Sequence, residues 1–268
     1  MREKLRKAAK WIVQRLGLLG VAFRLQEFVK SLELANRRRS EPLHASDGLP
    51  VPPAKLIVLV GGHADASSFL LGGEEVARTI REVLAANGSD VGQMKAILDF
   101  GCGCGRVMRQ WHSVRDRVAL HGTDYNRDSI DWCRRNLPFA KFAINRLAPP
   151  LDYQGGSFDL VYAFSVFTHL SAELQLAWIS ELTRITAPGG YLFITLHGDA
   201  FRTSMTPDEQ SSFDGGQLVV RHSRMAGSNM CAAFHPQNYV RQVFAKSLRV
   251  IEYSPARLGQ DVVLLQKA

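Results

Sequence analysis

From Lys95 onward, short apolar runs alternate with longer segments of helical periodicity, and turn residues separate the two. Apolar runs bounded by turns predict buried strands, and apolar positions three and four residues apart predict helices. The predicted strands are 96–100, 119–122, 141–144, 158–164, 191–196, 248–253 and 262–266, and the predicted helices are 106–113, 127–136, 171–186 and 236–245. This alternation predicts an α/β fold whose doubly wound, mostly parallel sheet has helices on both faces. We expect ligands at the carboxyl ends of the strands, where the strand order reverses.

Two further segments precede this pattern. Residues 55–60 form an apolar run that ends at a Gly-Gly pair, and residues 66–86 have helical periodicity. They predict a lead-in strand and a capping helix over 55–94. Residues 5–23 have the spacing of an amphipathic helix, and a linker rich in Pro and small polar residues follows it. We therefore expect an N-terminal helical extension with its linker (1–54), the lead-in segment (55–94) and a main domain (95–268).

The net charge of +8 belongs to the N-terminal extension. Residues 1–40 contain 11 Lys and Arg and only 3 acidic residues, so the rest of the chain is electrically neutral. A neutral body does not provide the basic groove that nucleic acids need, so a nucleic-acid partner is not expected. The longest apolar run of the extension, residues 16–23, is too short to span a bilayer. The amphipathic helix is expected either to cap the body or contact a partner, or to lie on an anionic membrane surface. Both interpretations place the protein in the cytoplasm, the second at the inner face of the membrane.

Cysteine usage indicates a reducing compartment. The chain has four cysteines without the paired spacing of a zinc site: Cys102, Cys104, Cys133 and Cys231. We expect free thiols and no metal. The apolar fraction of 46% and the charged fraction of 22% are those of an ordinary globular protein, which excludes a disordered chain and a disulfide scaffold.

A glycine-rich turn follows the first strand of the main domain. Its three glycines, Gly101, Gly103 and Gly105, allow a tight turn and a close approach of the backbone to a ligand. The second strand leads to Asp124, a carboxylate suited to the two hydroxyls of a ribose. The turn and the acid together indicate a nucleoside-containing ligand.

The spacing of these glycines argues against a dinucleotide. A dinucleotide fingerprint has its third glycine at the position that Arg106 occupies here, so a nicotinamide oxidoreductase is not expected. Asp99, just before the turn, would repel a pyrophosphate, whereas its carboxylate can hold a cationic amine.

Four motifs follow one another along the main domain, and they resemble the successive motifs of class I S-adenosylmethionine-dependent methyltransferases over about residues 96–196. They are Asp99-x-Gly-x-Gly-x-Gly105, Asp124, the segment 158–165, and Leu182-x-Arg184-x-x-x-Pro188-Gly189-Gly190. The resemblance implies a Rossmann-like, seven-stranded sheet whose last strand is antiparallel to the others. It also implies S-adenosylmethionine as the cofactor.

The resemblance further implies which residues bind each part of the cofactor. The glycine turn and the acid before it hold the methionine part, the acid after the second strand binds the ribose, and the residue beside that acid contacts the adenine. Two residues after the third strand flank the adenine amino group, and two at the end of the fourth face the sulfonium. In chain order the implied set is Asp99, Gly101, Gly103, Gly105, Asp124, Tyr125, Asn145, Arg146, Ser165 and Val166.

Three histidines are candidates for a base that removes the proton of the methyl acceptor: His169, His197 and His235. His197 directly follows a predicted strand. His197 and His235 also flank residues 198–230, whose Gly, Ser and Asp content predicts a loop that covers the acceptor.

The predicted reaction is methyl transfer to a hydroxyl or an amine of a small-molecule or glycan-type acceptor. Two alternatives stay open: a nucleic-acid methyltransferase that uses the basic extension, and a non-catalytic S-adenosylmethionine-binding or membrane-associated scaffold. Against the first, enzymes that methylate base amino groups commonly have Asn/Asp-Pro-Pro-Tyr/Phe after the fourth strand. This chain has Ser165-Val-Phe-Thr168 there.

Overall fold

The computed structural model describes residues 45–63 and 65–268. Contacts divide the chain into two compact units, residues 1–69 and 70–268. The predicted amphipathic helix over 5–23 and the basic segment 1–40 lie outside the described residues. The three-part division of the chain at 54 and 94 therefore stays a prediction.

The described part of the first unit corrects one prediction: residues 55–60 are not a strand. They belong to helix α1 (Ala54–Gly61), which begins after Pro53 and ends at Gly62. Gly62 has a left-handed conformation, with φ of 72°, and its N–H donates to the Val58 carbonyl at 2.8 Å. A short apolar run is compatible with either element, and here the proline start and the glycine end decide for the helix.

A second helix follows α1 along the chain. Helix α2 (Ala66–Ala86) confirms the periodicity seen over 66–86. Within the described residues, no single helix is both long and apolar enough to cross a membrane, although α1 and α2 taken together pass that test by length and composition.

The second unit contains a seven-stranded sheet with the order β3-β2-β1-β4-β5-β9-β8. All strands are parallel except β9, which runs antiparallel to both of its neighbours, as the resemblance implied. The strands are β1 (Ala96–Phe100), β2 (Ala119–Asp124), β3 (Lys141–Ile144), β4 (Phe158–Ala163), β5 (Thr186–Leu196), β8 (Leu248–Ser254) and β9 (Asp261–Lys267). The doubly wound, Rossmann-like fold predicted from the sequence is confirmed.

Two of the helices predicted around the sheet are shorter or more tightly wound than expected. Residues 106–113 do not form an α-helix but a 3₁₀ segment, Met108–Val114, and the helix over 236–245 ends early and continues as a 3₁₀ turn, Phe244–Lys246. The α-helices are α3 (Arg127–Asn136), α4 (Ala172–Ile185), α5 (Pro207–Asp214) and α6 (Gln237–Val243). Side chains cap α3 and α4: Asn126 accepts from the Ser129 N–H, and Ser171 from the Leu174 N–H.

The central strands are buried on both faces, because helices cover them. In β1 the side chains of Ile97, Leu98 and Phe100 are at most 3% exposed. Trp178 of α4 packs on Phe100 with ring centroids 4.4 Å apart. Burial of this continuous apolar surface is the main source of stability of such a sheet.

The segment 198–230 is not the structureless loop that its composition predicted. Residues 199–234, named here the insertion, contain a 3₁₀ turn (Asp199–Ser204), α5 and a two-stranded sheet of β6 (Val219–Arg221) and β7 (Ala232–Phe234). They have a small core of Met205, Phe213, Val219 and Phe234. Ion pairs close the insertion, from Arg202 to Asp214 at 2.6 Å and from Arg221 to Glu209 at 2.5 Å.

One buried carboxylate ties α4 to the chain that leads into β4. Glu181, whose side chain is 8% exposed, accepts from the Leu151 N–H at 2.7 Å and from Arg184 at 2.7 and 2.8 Å. The Arg184 guanidinium, more than the Leu151 N–H, keeps the pKa of Glu181 below its usual value against the opposing effect of burial.

We predict that Glu181→Ala lowers the free energy of unfolding by about 2 kcal/mol, because it leaves the Leu151 N–H without its charged acceptor. Urea denaturation of the full chain measures this change. The control Ser180→Ala, at an exposed position of the same helix, should shift it by less than about 0.5 kcal/mol. Equal effects of the two substitutions on the free energy of unfolding would contradict the role assigned to Glu181.

Candidate active site

The glycine turn after β1 passes so close to its neighbours that side chains have no room. Gly101 and Gly105 have left-handed φ values of 75° and 77°. A Cβ at Gly101 would lie 2.4 Å from Val166, and one at Gly105 would lie 2.4 Å from Leu137. The N–H groups of Gly101 and Cys102 both donate to the Thr123 carbonyl, at 2.8 and 2.9 Å. The turn is therefore held against β2 and against the residues that follow β4.

Asp124, the last residue of β2, is bonded to this turn directly. One carboxylate oxygen accepts from the Gly103 N–H at 2.9 Å and the other from the Asn126 N–H at 2.7 Å. Burial raises the pKa of Asp124, and these backbone hydrogen bonds oppose the shift. The Tyr125 N–H also bonds to this carboxylate, and because the two oxygens have four lone pairs between them, the carboxylate can still accept from a ligand hydroxyl.

Asp99 lies beneath the turn and is 3% exposed. The strand register places it opposite Tyr162 of β4, whose hydroxyl bonds to the carboxylate and itself accepts from the Trp111 indole N–H at 2.9 Å. The second carboxylate oxygen, Oδ2, has no hydrogen-bond partner among the described residues. Burial raises the pKa of Asp99 to about 7, against the opposing effects of the Tyr162 hydrogen bond and of Arg106.

A polar cluster lies at the carboxyl end of β4. Ser165 has a φ of 59°, unusual for a residue other than glycine, and its N–H donates to Thr195 Oγ1 at 2.8 Å. Its Oγ lies 3.2 Å from Thr168 Oγ1 and accepts from Gln260 Nε2 at 2.9 Å. Thr195 and Gln260 were not predicted from the sequence. Gln260 reaches the site because the pairing of Leu196 with Asp261 brings the β8–β9 turn to the carboxyl end of β5.

The three candidate bases occupy different environments. His197 follows β5, stacks on Phe201 at 4.1 Å, and has a pKa lowered to about 4, mainly by burial and then by His169. Its Nδ1 has no partner within the described part of the chain. His169 donates from Nδ1 to the Cys231 carbonyl at 2.8 Å, and burial lowers its pKa.

His235 is enclosed more completely than the other two histidines. Its side chain is completely buried, its Nε2 donates to Gln175 Oε1 at 2.9 Å, and burial lowers its pKa to about 3. Gln175 in turn donates to the Phe167 and Leu170 carbonyls. These contacts hold the chain after β7 in place, and the selection of His235 as a candidate base stays a prediction.

The remaining predicted residues line the side of the site near β2 and β3. Tyr125 is half exposed, and its hydroxyl donates to the Gly227 carbonyl of the insertion. Asn145 continues from β3, where its N–H donates to the Asp124 carbonyl at 3.1 Å, and Arg146 beside it is exposed. The fold thus brings every predicted cofactor residue to the carboxyl edge of the sheet, where β1 and β4 mark the reversal of strand order.

A family model described as a methyltransferase domain matches residues 97–190. Residues 97–190 therefore form a methyltransferase domain by their sequence. The matched residues run from β1 into β5 and include the glycine turn, Asp124 and Ser165. Among the described residues, no group of three His, Cys, Asp or Glu side chains could hold a metal ion.

The names of relatives of this chain state chemically different acceptors. The rRNA N(6)-adenosine-methyltransferase metl-5 of Caenorhabditis elegans is 27% identical over 40% of this chain and 54% of that protein. Phthiotriol/phenolphthiotriol dimycocerosates methyltransferase 1 of Mycobacterium ulcerans is 31% identical over 38% of this chain and 37% of that protein. The chain spans about half the length of the curated relatives it matches.

A solved structure shows the same fold at low sequence identity. The 1,6-didemethyltoxoflavin-N1-methyltransferase of Burkholderia thailandensis, solved with 1,6-didemethyltoxoflavin and S-adenosylhomocysteine, has a TM-score of 0.52 and 15% identity, with 75% of this chain and 84% of that chain covered. The family match covers the strands β1 to β4 and the start of β5, which the solved structure shares as part of the fold, and the names of the relatives state different acceptors.

The buried carboxyl of Asp99 predicts an unusual dependence of stability on pH. Since its pKa is raised to about 7, the folded protein keeps a proton that the unfolded chain loses near pH 4. Asp99 therefore lowers stability progressively as pH rises from about 4 to about 7. The free energy of unfolding of Asp99→Asn, relative to that of the original chain, should therefore rise over this range by up to about 1 kcal/mol for each pH unit.

Denaturation of both proteins at several pH values between 4 and 7.5 measures the difference. The control Asp116→Asn changes an exposed carboxyl and should give a stability curve parallel to that of the original chain. A parallel curve for Asp99→Asn as well would contradict the assigned environment of Asp99.

Proposed function

We propose that the protein transfers a methyl group from S-adenosylmethionine to a hydroxyl or an amine of a small-molecule or glycan-type acceptor. The observation that carries the proposal is the hydrogen bond from the Gly103 N–H to Asp124, which holds the glycine turn against a carboxylate that still has lone pairs for a ribose. Ser165 and His197 follow the neighbouring strands β4 and β5, on the side where an acceptor would lie.

The residues present fit the cofactor. The partnerless Oδ2 of Asp99 is suited to the ammonium group of the methionine part, and an ammonium there would also relieve the cost of a buried carboxylate. Three of the five residues 101–105 are glycines, which lets a ligand approach the backbone of the turn closely. Tyr125 offers a half-exposed aromatic ring for the adenine.

S-adenosylmethionine supplies an electrophilic methyl group on a sulfonium. The chain has to align this methyl with the acceptor and exclude water, and alignment alone accounts for a large part of the rate in such transfers. Ser165 is fixed for this role by Thr195 and Gln260. The aromatic rings of Phe201 and Phe234 around His197 form an apolar wall on the acceptor side.

His197 is the histidine best placed to receive a proton from the acceptor. Its Nδ1 has no partner among the residues described, and at neutral pH the ring is uncharged because its pKa is about 4. A base this weak cannot ionise an ordinary alcohol efficiently. It suits an amine or a phenol, whose nucleophilic form is more accessible.

A nucleic-acid acceptor is the second candidate, because the C. elegans relative is an rRNA methyltransferase. The two classes of acceptor differ in how they would have to enter the site. A base in RNA would have to leave its stack and enter past the insertion, whereas a small amine or phenol would enter directly.

We predict that the full chain produces S-adenosylhomocysteine when incubated with S-adenosylmethionine and a suitable acceptor. A test panel contains catechol, glucosamine and ribosomal RNA, and the measurement is S-adenosylhomocysteine formed above the acceptor-free background. Turnover of catechol or glucosamine supports the proposal, and turnover of RNA alone supports the second candidate. Binding of S-adenosylmethionine without turnover of any acceptor favours a scaffold.

With an acceptor that reacts, His197→Ala should lower kcat at least about tenfold.

Binding of the cofactor can be tested without any methyl acceptor. Asp124→Asn should weaken binding of S-adenosylhomocysteine by roughly 10- to 100-fold in calorimetry, because charge-assisted hydrogen bonds to the ribose are lost. The matched control Asp152→Asn changes an exposed acid and should leave the affinity unchanged. Equal affinities of all three proteins, or a thermal shift with NAD and none with S-adenosylmethionine, would contradict the proposal.

A further inference from the structure

One segment of the insertion crosses from the acceptor side of the site to the adenine side. Residues 222–231, named here the strap, contain a 3₁₀ turn (Ser223–Met225) and a glycine, Gly227, with a φ of 86°. The strap leads from β6 toward β7, whose Phe234 forms a bridge with His197 at the end of β5. Its start and its end thus belong to the acceptor side.

The middle of the strap lies against the loops that follow β2 and β3. The Tyr125 hydroxyl donates to the Gly227 carbonyl. A Cβ at Gly227 would lie 2.6 Å from Leu147 Cδ1 and 3.8 Å from the Tyr125 ring. The Leu147 carbonyl is itself fixed, since it accepts from the Trp178 indole at 2.9 Å. Gly227 is therefore inserted where only a residue without a side chain fits.

His169 holds the strap at two points. Its carbonyl accepts from the Gly227 N–H at 2.8 Å, and its imidazole Nδ1 donates to the Cys231 carbonyl at 2.8 Å. His169 follows β4, so strap contacts reach the carboxyl ends of β2, β3 and β4. These contacts join groups of the chain itself and resist opening of the strap whether or not a ligand is bound.

We propose that the strap closes the adenine end of the cofactor site, with His169 and Gly227 as positioning residues and Tyr125 as the latch, so that the cofactor enters and leaves only when the strap opens. The inference rests on the proposed function, because it assigns the adenine to the side of Tyr125. It gives His169 a role other than proton removal. It also couples the two halves of the site, since the same insertion covers the acceptor and closes over the cofactor.

Rapid-mixing measurements of S-adenosylhomocysteine binding to the full chain, followed by tryptophan fluorescence or by displacement of a labelled ligand, test the strap. If the ligand passes only through the open form, association and dissociation rates both rise with the open fraction, and their ratio changes little. Tyr125→Phe removes one hydrogen bond of the latch and should raise both rates about three- to tenfold. A merely contacting tyrosine would raise the dissociation rate alone.

A glycine pair supplies the matched control. Gly227→Ala strains the closed strap and should raise both rates by at least as much as Tyr125→Phe. Gly216 has a similar φ of 79° but nothing closer than 3.9 Å to its missing Cβ, so Gly216→Ala adds the backbone strain outside the strap and should leave both rates unchanged. The double variant Gly227→Ala/Leu147→Ala removes the steric contact and should return part of the way to the original rates.

Unchanged association rates in Tyr125→Phe and Gly227→Ala, or equal effects of Gly227→Ala and Gly216→Ala, would overturn the strap while leaving the proposed function intact. Failure of the original chain to bind S-adenosylhomocysteine would overturn both. The two failures are thus distinguishable in the same experiment.

Discussion

The hydrogen bond from the Gly103 N–H to the Asp124 carboxylate is the interaction on which the site depends. It joins the turn after β1 to the end of β2, and it can form only because the turn carries no side chains where it meets Val166 and Leu137. A Cβ at Gly101 or Gly105 would push the turn away from its acid. With the turn in place, Asp99 is sealed beneath it, and one oxygen of a buried carboxylate is left for a positively charged donor.

The two halves of the site are built in different ways. The cofactor half is assembled from consecutive strand ends, so its geometry follows from the sheet itself. The half that we propose for the acceptor combines the end of β5, the insertion and the β8–β9 turn that carries Gln260. On this proposal, a change in the insertion alters the acceptor without altering the sheet. This separation agrees with a cofactor half that matches a family model and with relatives whose acceptors differ in chemistry.

The placement of the glycine turn beside Asp124 could be predicted from the sequence because its signals are local. A glycine turn after a buried run and an acid after the next run are adjacent in sequence and in space. The insertion could not be predicted, since its order depends on contacts such as Arg221 with Glu209, and its elements are too short to show a period. The strand predicted over residues 55–60 was wrong, because the hydrophobicity of a short run does not distinguish a helix from a strand. The position of Gln260 at the site depends on strand register, and the burial of His235 depends on packing. Residue types alone reveal neither.

A crystal structure of the full chain with S-adenosylhomocysteine tests the proposed cofactor site most directly. We expect ribose hydroxyls on the Asp124 carboxylate, the ammonium group on Asp99, and the sulfur beside Ser165. An adenosine bound elsewhere, or a ribose that makes no contact with Asp124, would contradict it.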